Sequence, residues 1–421
     1  MSRYETYKPS GIDWIGEVPE HWKVVSLKNI LLSMTNGTTI TQDPFEEGIP
    51  VTRIETISDG TINLENTGII PSDAGIENYY LSKGDILFSH INSFEYVANC
   101  AIFDLDVRML HGMNLLRLIP NKTKIEPYFF IYLLKSDYFK KLTQSVCNRA
   151  INQVSISNSK LKNFKIVIPE DKTEQLTIAN YLDDQTQKID RLIANKKAQA
   201  EKLKELRQIE INNAVTKGLN LNAEMKESGI EWLGKIPKHW EVKRLKNILL
   251  NINSGDGISN DELVEDGEIE VYGGNGVMGY TDKYNSDGKV IIIGRVGAKC
   301  GVVYLVDKKI WISDNALQSR TYQNYEFVYY LIDAMNLNNY ANQNAQPLIT
   351  GGILKGLYAA LPPKNEQAEI ANFLQKRTTA IDQLIKNIEA QIEKLQEVRK
   401  IKIYEAVTGK IKVNAYAETT A

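Results

Sequence analysis

An α+β architecture is expected from this chain: two mixed α/β domains alternate with two long helices that pair as a coiled coil. Three observations carry that expectation. A 45-residue helical segment is written twice, a shorter opening segment is also written twice, and short strand-like runs split by turn residues lie between them in each half.

The totals set the bounds. A length of 421 residues is enough for two or three domains, each with its own core. With 43% apolar and 24% charged residues, the composition is that of an ordinary soluble protein. The opening Met1-Ser2-Arg3-Tyr4-Glu5 lacks the charged-then-apolar pattern of a signal peptide. The densest apolar run, Val290 to Ile293, is far too short to span a membrane. Three cysteines without CxxC spacing read as reduced thiols of a cytoplasmic protein and give no zinc site. The net charge is −2, so any nucleic-acid surface must be a local patch.

Each half opens alike. Ser10-Gly11-Ile12-Asp13-Trp14-Ile15-Gly16 and Val18-Pro19-Glu20-His21-Trp22 return, 218 positions later, as Ser228-Gly229-Ile230-Glu231-Trp232-Leu233-Gly234 and Ile236-Pro237-Lys238-His239-Trp240. Trp14, Trp22, Trp232 and Trp240 are expected as core anchors. His21 and His239, in matching Pro-x-His-Trp segments, are expected to share a structural role rather than form two catalytic sites.

A variable region follows, residues 33–169 in the first half and about 251–361 in the second. Ile49 to Ile54 and Asp85 to Ser89 read as strands, and the spacing of Phe129, Tyr132, Leu133 and Phe139 predicts a helix over 128–142. In the second half Lys289 to Gly294 reads as the strand and Phe327 to Met335 as the helix.

The long helices close each half. Glu174 to Gly218 and Glu366 to Lys410, set 192 positions apart, agree at 24 of 45 positions without a gap. Thr173 and Asn365 are good N-cap residues, and Gly218 and Gly409 stand where a left-handed residue would stop a helix. About 43 residues give a rod of roughly 65 Å. A heptad stripe is expected through Ile189, Leu192, Leu203 and Leu206 in the first rod, interrupted by Lys196 and Gln199. In the second it runs through Ile381, Leu384, Ile388, Leu395 and Val398, with Gln391 matching Gln199. So narrow a stripe needs a partner helix, and the duplicate is the nearest candidate.

Catalytic motifs are absent. Gly274-Asn275-Gly276-Val277-Met278-Gly279 fits GxGxxG, but the turn-rich Tyr280 to Gly288 follows where a dinucleotide site needs a helix, so it reads as a surface loop. There is no P-loop, HExxH or nucleophile elbow. Basic and amide side chains crowd the ends of the variable regions instead. Arg53, His90, Asn92, Arg108, His111, Asn114, Arg149, Asn152 and Gln153 do so in the first. Asn275, Arg295, Lys299, Asn315, Gln318, Arg320, Gln343, Asn344 and Gln346 do so in the second. Arginine suits guanine edges and asparagine or glutamine suits adenine, so these residues are candidate DNA contacts; solvated loops are the bland alternative.

Several of these features together resemble the specificity (S) subunits of type I restriction–modification enzymes. They are Glu-Gln-x-x-Ile-Ala-Asn-Tyr/Phe-Leu at Glu174 to Leu182 and Glu366 to Leu374, the Gly-Ile-x-Trp-x-Gly-x-x-Pro-x-His-Trp segments, and the two-cycle layout. Tyr272 to Gly276 with Gly294-Arg295-Val296-Gly297 adds a likeness to that family's target-recognition domains. One departure is Ile168-Pro169-Glu170-Asp171-Lys172 before the first helix, where the family usually has a Pro-Pro step, as at Pro362-Pro363.

The resemblance implies target-recognition domains at 1–170 and 219–363, spacer helices at 171–218 and 364–412, and a tail at 413–421. It implies that the helices pair antiparallel in a pseudo-two-fold repeat. It further implies that each domain reads half of a bipartite, asymmetric target in double-stranded DNA, while the helices dock two modification subunits and restriction subunits join them. No cofactor is expected on this chain; S-adenosylmethionine, ATP and magnesium would reside on the partners. The chain would be a non-catalytic, cytoplasmic subunit with no membrane partner. The alternative is a coiled-coil scaffold or adaptor with two protein- or carbohydrate-binding domains.

Overall fold

Strand Lys23–Ser26 pairs antiparallel with Lys165–Ile168, so the first variable region leaves and re-enters the frame at one place. The same pairing joins Glu241–Arg244 to Tyr358–Leu361 in the second half. This computed structural model describes residues 2–40, 42, 48–71, 77–151, 153–297, 299–342 and 347–414. Of the expected tail, only residues 413 and 414 fall within that range. The chain divides into two units, Met1–Asn195 with Gln391–Ala421, and Lys196–Ala390. Each unit therefore holds a variable region and part of both rods.

In the first unit the main sheet is antiparallel, in the order Leu31–Asn36, Leu116–Pro120, Ile86–Phe88, Cys100–Ile102. Phe88, Leu116 and Leu118 of this sheet share a core with Phe129, Phe130, Leu133 and Phe139. The helix expected over 128–142 is two helices, Pro127–Lys135 and Asp137–Val146. They are split by Ser136, whose extended backbone (φ −64°, ψ 142°) ends one and caps the next. The second unit repeats the sheet as Leu249–Ser254, Ala316–Thr321, Lys289–Gly294, Val303–Asp307. Helix Tyr325–Ala334 contributes Phe327, Val328 and Leu331 to its core.

The rods span Lys172–Lys217 (46 residues) and Lys364–Val407 (44 residues), each between about 65 and 70 Å long. Both start two residues earlier than the sequence suggested. Asp171, rather than Thr173, precedes the first rod, and its Oδ1 accepts the Thr173 N–H at 2.9 Å. Pro363 precedes the second, so Asn365 lies inside the first turn. Gly218 and Gly409 take the left-handed conformation past the ends, with φ of +74° and +70°.

Burial explains what the repeat preserves. Ile178, Ala179 and Leu182 of the first rod and Ala406 and Val407 of the second enter the core of the first unit. Ile370, Ala371, Leu374, Ala214 and Val215 do the same in the second. Each such Ile, Leu or Val contributes about 1.5–3 kcal/mol on burial, and the alanines less, which fixes the two ends of the repeat.

Between those ends the rods pair antiparallel, since rising numbers on one meet falling numbers on the other. Tyr181 and Asp190 meet Lys402 and Arg399 in the first unit. Arg207 and Glu210 meet Asp382 and Arg377 in the second. The covered line on the first rod runs Leu182, Thr186, Ile189, Ile193, Lys196, Ala200, Leu203, Arg207, Ile211, stepping by four and three. On the second it runs through the positions 192 higher, from Leu374 to Ile403. Ile189, Leu203, Ile381, Ile388 and Leu395 lie on it. Leu192, Leu206, Leu384 and Val398 do not, being 49%, 41%, 51% and 41% exposed. Stepping by three from Ile189 and Ile381 reaches the flank, whereas the covered neighbours are four residues on, at Ile193 and Ile385. Gln199 and Gln391 are also exposed, and the polar residues within the first rod's line are Thr186, Lys196 and Arg207.

Candidate nucleic-acid interface

Both main sheets end in a row from which the candidate residues emerge. In the first, Leu116 lies between Asn36 and Phe88. Beyond that row come Gly37–Thr38, His111–Leu115 and Ser89–Asn92. Asn36 links the second of these to helix Asn158–Lys162, donating toward the Met113 carbonyl at 3.5 Å and accepting from Asn158 Nδ2 at 3.3 Å. A cleft of about 580 Å³ opens there, lined by Thr38, Thr52, Arg53, Met113 and Asn114 among others. Gly112 makes the crossing possible, because a Cβ at that position would sit 2.0 Å from the Thr52 carbonyl oxygen. Its N–H instead donates to Thr52 Oγ1 at 2.9 Å. Arg53 and Asn114 are exposed, and Gln42 Oε1 accepts from Arg53 Nε at 2.5 Å.

The histidines at this end are buried and neutral. Burial pushes both His90 and His111 down to about 4. His111 Nε2 donates to the Leu115 carbonyl at 2.9 Å, while His90 Nδ1 has no partner among the described residues. Neither offers a cation to a phosphate near neutral pH. They support the segments that carry Asn92 and Asn114. Beside them, Asn148–Ala150 and Gln153–Ser155 form a hairpin that pairs with Ile91–Asn92. It brings Asn92, Arg149 and Gln153 together, with the Arg149 guanidinium over the Phe94 ring at 5.3 Å. Asn152 lies outside the described residues. Arg108 stands two residues before Leu110, over the Tyr80 ring at 4.3 Å.

In the second unit the terminal row is Ser254, Leu317 and Ile293. Ile269–Gly273 and Gly276–Thr281 form a hairpin with Gly274-Asn275 at its turn, so the GxGxxG stretch is a hairpin turn and the strand that leaves it. Gly294 passes so close that a Cβ would lie 2.1 Å from the Gly274 carbonyl oxygen. Asn275, Arg295 and Asn315 are thereby gathered. Arg295 N–H donates to the Asn315 carbonyl at 3.1 Å, and its Nη1 donates to the Asp314 carbonyl at 3.3 Å. Lys299 is exposed on the turn after Gly297. Gln318 is one row into the sheet. Arg320, paired opposite Leu250, points its guanidinium to the Asp287 carbonyl at 2.6 Å, toward the far end of the strand. Gln343, Asn344 and Gln346 lie outside the described residues.

The opening segments join the variable regions to the rods. Glu174, in the first rod's opening turn, accepts from Tyr4, Trp22 and His21 at 2.6, 3.1 and 2.9 Å. Glu366 accepts from His239 at 2.8 Å. Trp22 and Trp240 are fully buried as expected, and Trp232 is partly buried. Trp14 is 50% exposed, and its neighbours Ile12 and Ile15 supply the buried side chains of the segment.

Sequence reasoning passed over Gln175 and Gln367. Each is buried and fully bonded. Gln175 accepts the N–H of Glu126, the cap of helix Pro127–Lys135, at 2.7 Å and donates to the Pro169 carbonyl at 2.9 Å. Gln367 does the same with Asn324 and Pro362, at 3.1 and 2.9 Å. The joint is thus alike in both halves although Glu170 stands where the second half has Pro363. The signal was an identical amide inside the first turn of each repeated helix.

Among the described residues, no group of three or more His, Cys, Asp or Glu is placed to hold a metal ion. No helix among them is long and apolar enough to cross a membrane.

The chain matches the type I restriction modification DNA specificity domain over residues 19–202 and 237–394. It is 35% identical over 419 residues to the protein assigned as the MjaX type I restriction enzyme specificity subunit of Methanocaldococcus jannaschii, covering 95% of this chain and 96% of that one. The chain belongs to the type I restriction–modification specificity-subunit family. A second member, the EcoprrI specificity subunit of Escherichia coli, is 31% identical over 137 residues, 31% of this chain and 34% of that one. Among solved structures, a chain from a study of complex assembly and conformational transition in a type I R-M system superposes with a TM-score of 0.73. It has 16% identity and covers 94% of this chain and 99% of its own. The HsdS subunit from Thermoanaerobacter tengcongensis gives a TM-score of 0.51 at 16% identity, over 94% of this chain and 98% of that one. These two likenesses are of fold.

Proposed function

We propose that this specificity subunit directs a type I restriction–modification complex to a bipartite, asymmetric target in double-stranded DNA and carries no catalytic step itself. Residues 1–170 and 219–363 are the two target-recognition domains, each reading one half-site. Residues 171–218 and 364–412 are the spacer helices on which two modification subunits dock, restriction subunits joining the assembly, and 413–421 form a tail. S-adenosylmethionine, ATP and magnesium are bound by the partners, in the cytoplasm. The arginines and amides named above are candidate base and phosphate contacts, with His90 and His111 behind them.

One observation carries this reading. The joints are duplicated and the rods agree at 24 of 45 positions, while the sheet ends above them differ: Arg53 and Asn114 in one, Asn275, Arg295 and Asn315 in the other. One frame with two unlike faces suits a target made of two unlike halves. Binding of the reconstituted complex to duplex DNA tests it. Affinity should fall steeply with salt and depend on sequence at two separated blocks. The net charge of −2 leaves the scaffold reading standing beside it, and binding indifferent to both salt and sequence would favour that alternative.

A further inference from the structure

Between Tyr138 and Pro169 the chain carries six basic residues (Lys140, Lys141, Arg149, Lys160, Lys162 and Lys165) and no acidic one. This stretch is a local excess of positive charge along the chain, with Lys141 paired to Asp137 just before it, and a chain of net charge −2 needs such an excess if it is to meet a polyanion. The hairpin Asn148–Ala150 with Gln153–Ser155 rises from its middle. Lys160 ties the base of the hairpin, donating to the Val146 carbonyl at 3.1 Å and to Asn148 Oδ1 at 3.3 Å.

The register settles which side chains face outward. Arg149 is opposite Val154, which is buried, so that face turns inward, and Arg149 lies along the Phe94 ring at the edge. The other face presents Asn148 and, directly paired, Ala150 and Gln153, all exposed. Strand Asn148–Ala150 is exposed at every position, and Ile151 at the turn is 94% exposed. An isoleucine held almost wholly in water, between two amides and an arginine, has no role in the core.

We propose that this hairpin is a β-ribbon that enters the major groove of the half-site read by the first domain. Asn148 and Gln153 face base edges and Ile151 makes the apolar contact at the tip. A two-stranded ribbon fits a groove of about 12 Å, amide side chains pair with adenine, and an aliphatic tip suits a thymine methyl. Arg149 and Lys160 flank the ribbon as phosphate contacts. The inference rests on the proposed function and adds the element that does the reading.

The test is selection from a randomised duplex pool by the full complex, with Gln153→Ala, Asn148→Ala and Ile151→Ser as separate variants. All three positions are exposed, so the thermal midpoint should stay that of the parent. Each variant should relax the preference at one or two adjacent base pairs of one half-site by about tenfold and leave the other half-site unchanged. Unchanged preferences in all three variants would overturn the proposal. So would a uniform loss of affinity across all sequences, which would make the hairpin a phosphate clamp. If the parent complex selects no bipartite sequence at all, the proposed function fails before the hairpin is at issue.

Discussion

Arg399 holds Asp190 through two hydrogen bonds, Nε to Oδ1 at 2.9 Å and the second guanidinium nitrogen to Oδ2 at 3.3 Å. The counterparts 192 positions away, Asp382 and Arg207, make the same ion pair at 3.0 Å in the second unit. One bond is thus written twice, with the two rods exchanging roles. Both pairs are partly open to solvent, so each contributes only about 0.5–1 kcal/mol. Their value lies in register, because an antiparallel pair shifted by one heptad would lose both. A double-mutant cycle on Asp190→Ala and Arg399→Ala, read by chemical denaturation, should give a coupling of about 0.5 kcal/mol. The exchange of Asp190→Arg with Arg399→Asp should restore most of it. A coupling of zero would show that the pair does not hold register.

The buried amides at the joints should matter far more. Gln175→Ala leaves the Glu126 N–H and the Pro169 carbonyl without their partner, at a cost of about 2–3 kcal/mol; Gln367→Ala should cost as much at Asn324 and Pro362. Gln→Glu should be no better, since a carboxylate oxygen would then face a carbonyl. Exposed Gln199→Ala serves as the control, with no measurable change expected in the same denaturation series.

Within the covered line, Lys196 is the residue at odds with its surroundings, and its counterpart is Ile388. Lys196→Leu should raise the thermal midpoint by a few degrees, because an aliphatic replaces a charge whose stem alone can use the seam. Leu in place of Gln199 and Gln391, the change favoured by sequence pattern alone, should leave the midpoint where it is.

The two buried histidines set a pH dependence. Their folded values, about 4, lie below the unfolded value near 6.5, so the unfolded chain binds more protons between those limits. Their contribution to stability is complete above about pH 6.5 and is lost progressively as the pH falls toward 4. Replacing His111 by Gln should flatten the midpoint–pH curve in that window. An unchanged slope would mean that His111 is charged in the folded protein.

The sequence carried the frame more fully than the faces. The rods were readable because Ile178, Ala179, Ala214 and Val215 are repeated under the constraint of two like cores. The phase of the seam was not, because Leu192 and Leu384 are as apolar as Ile193 and Ile385 and only packing separates a step of three from a step of four. Arg53 and Asn114 were recognisable as chemistry, but their meeting in one cleft depends on the glycine crossing at Gly112. His90 and His111 looked like polar readers, and burial makes them supports. Arg320 was grouped with Arg295 by sequence distance, and the strand between them carries it to the other end of the sheet.

The most direct test of two independent readers is to map every base methylated by the reconstituted complex before and after residues 33–169 are exchanged for those of another specificity subunit. One half of the bipartite motif should change, and the other half should keep its sequence. A motif altered in both halves, or in neither, would contradict the assignment of one half-site to each domain.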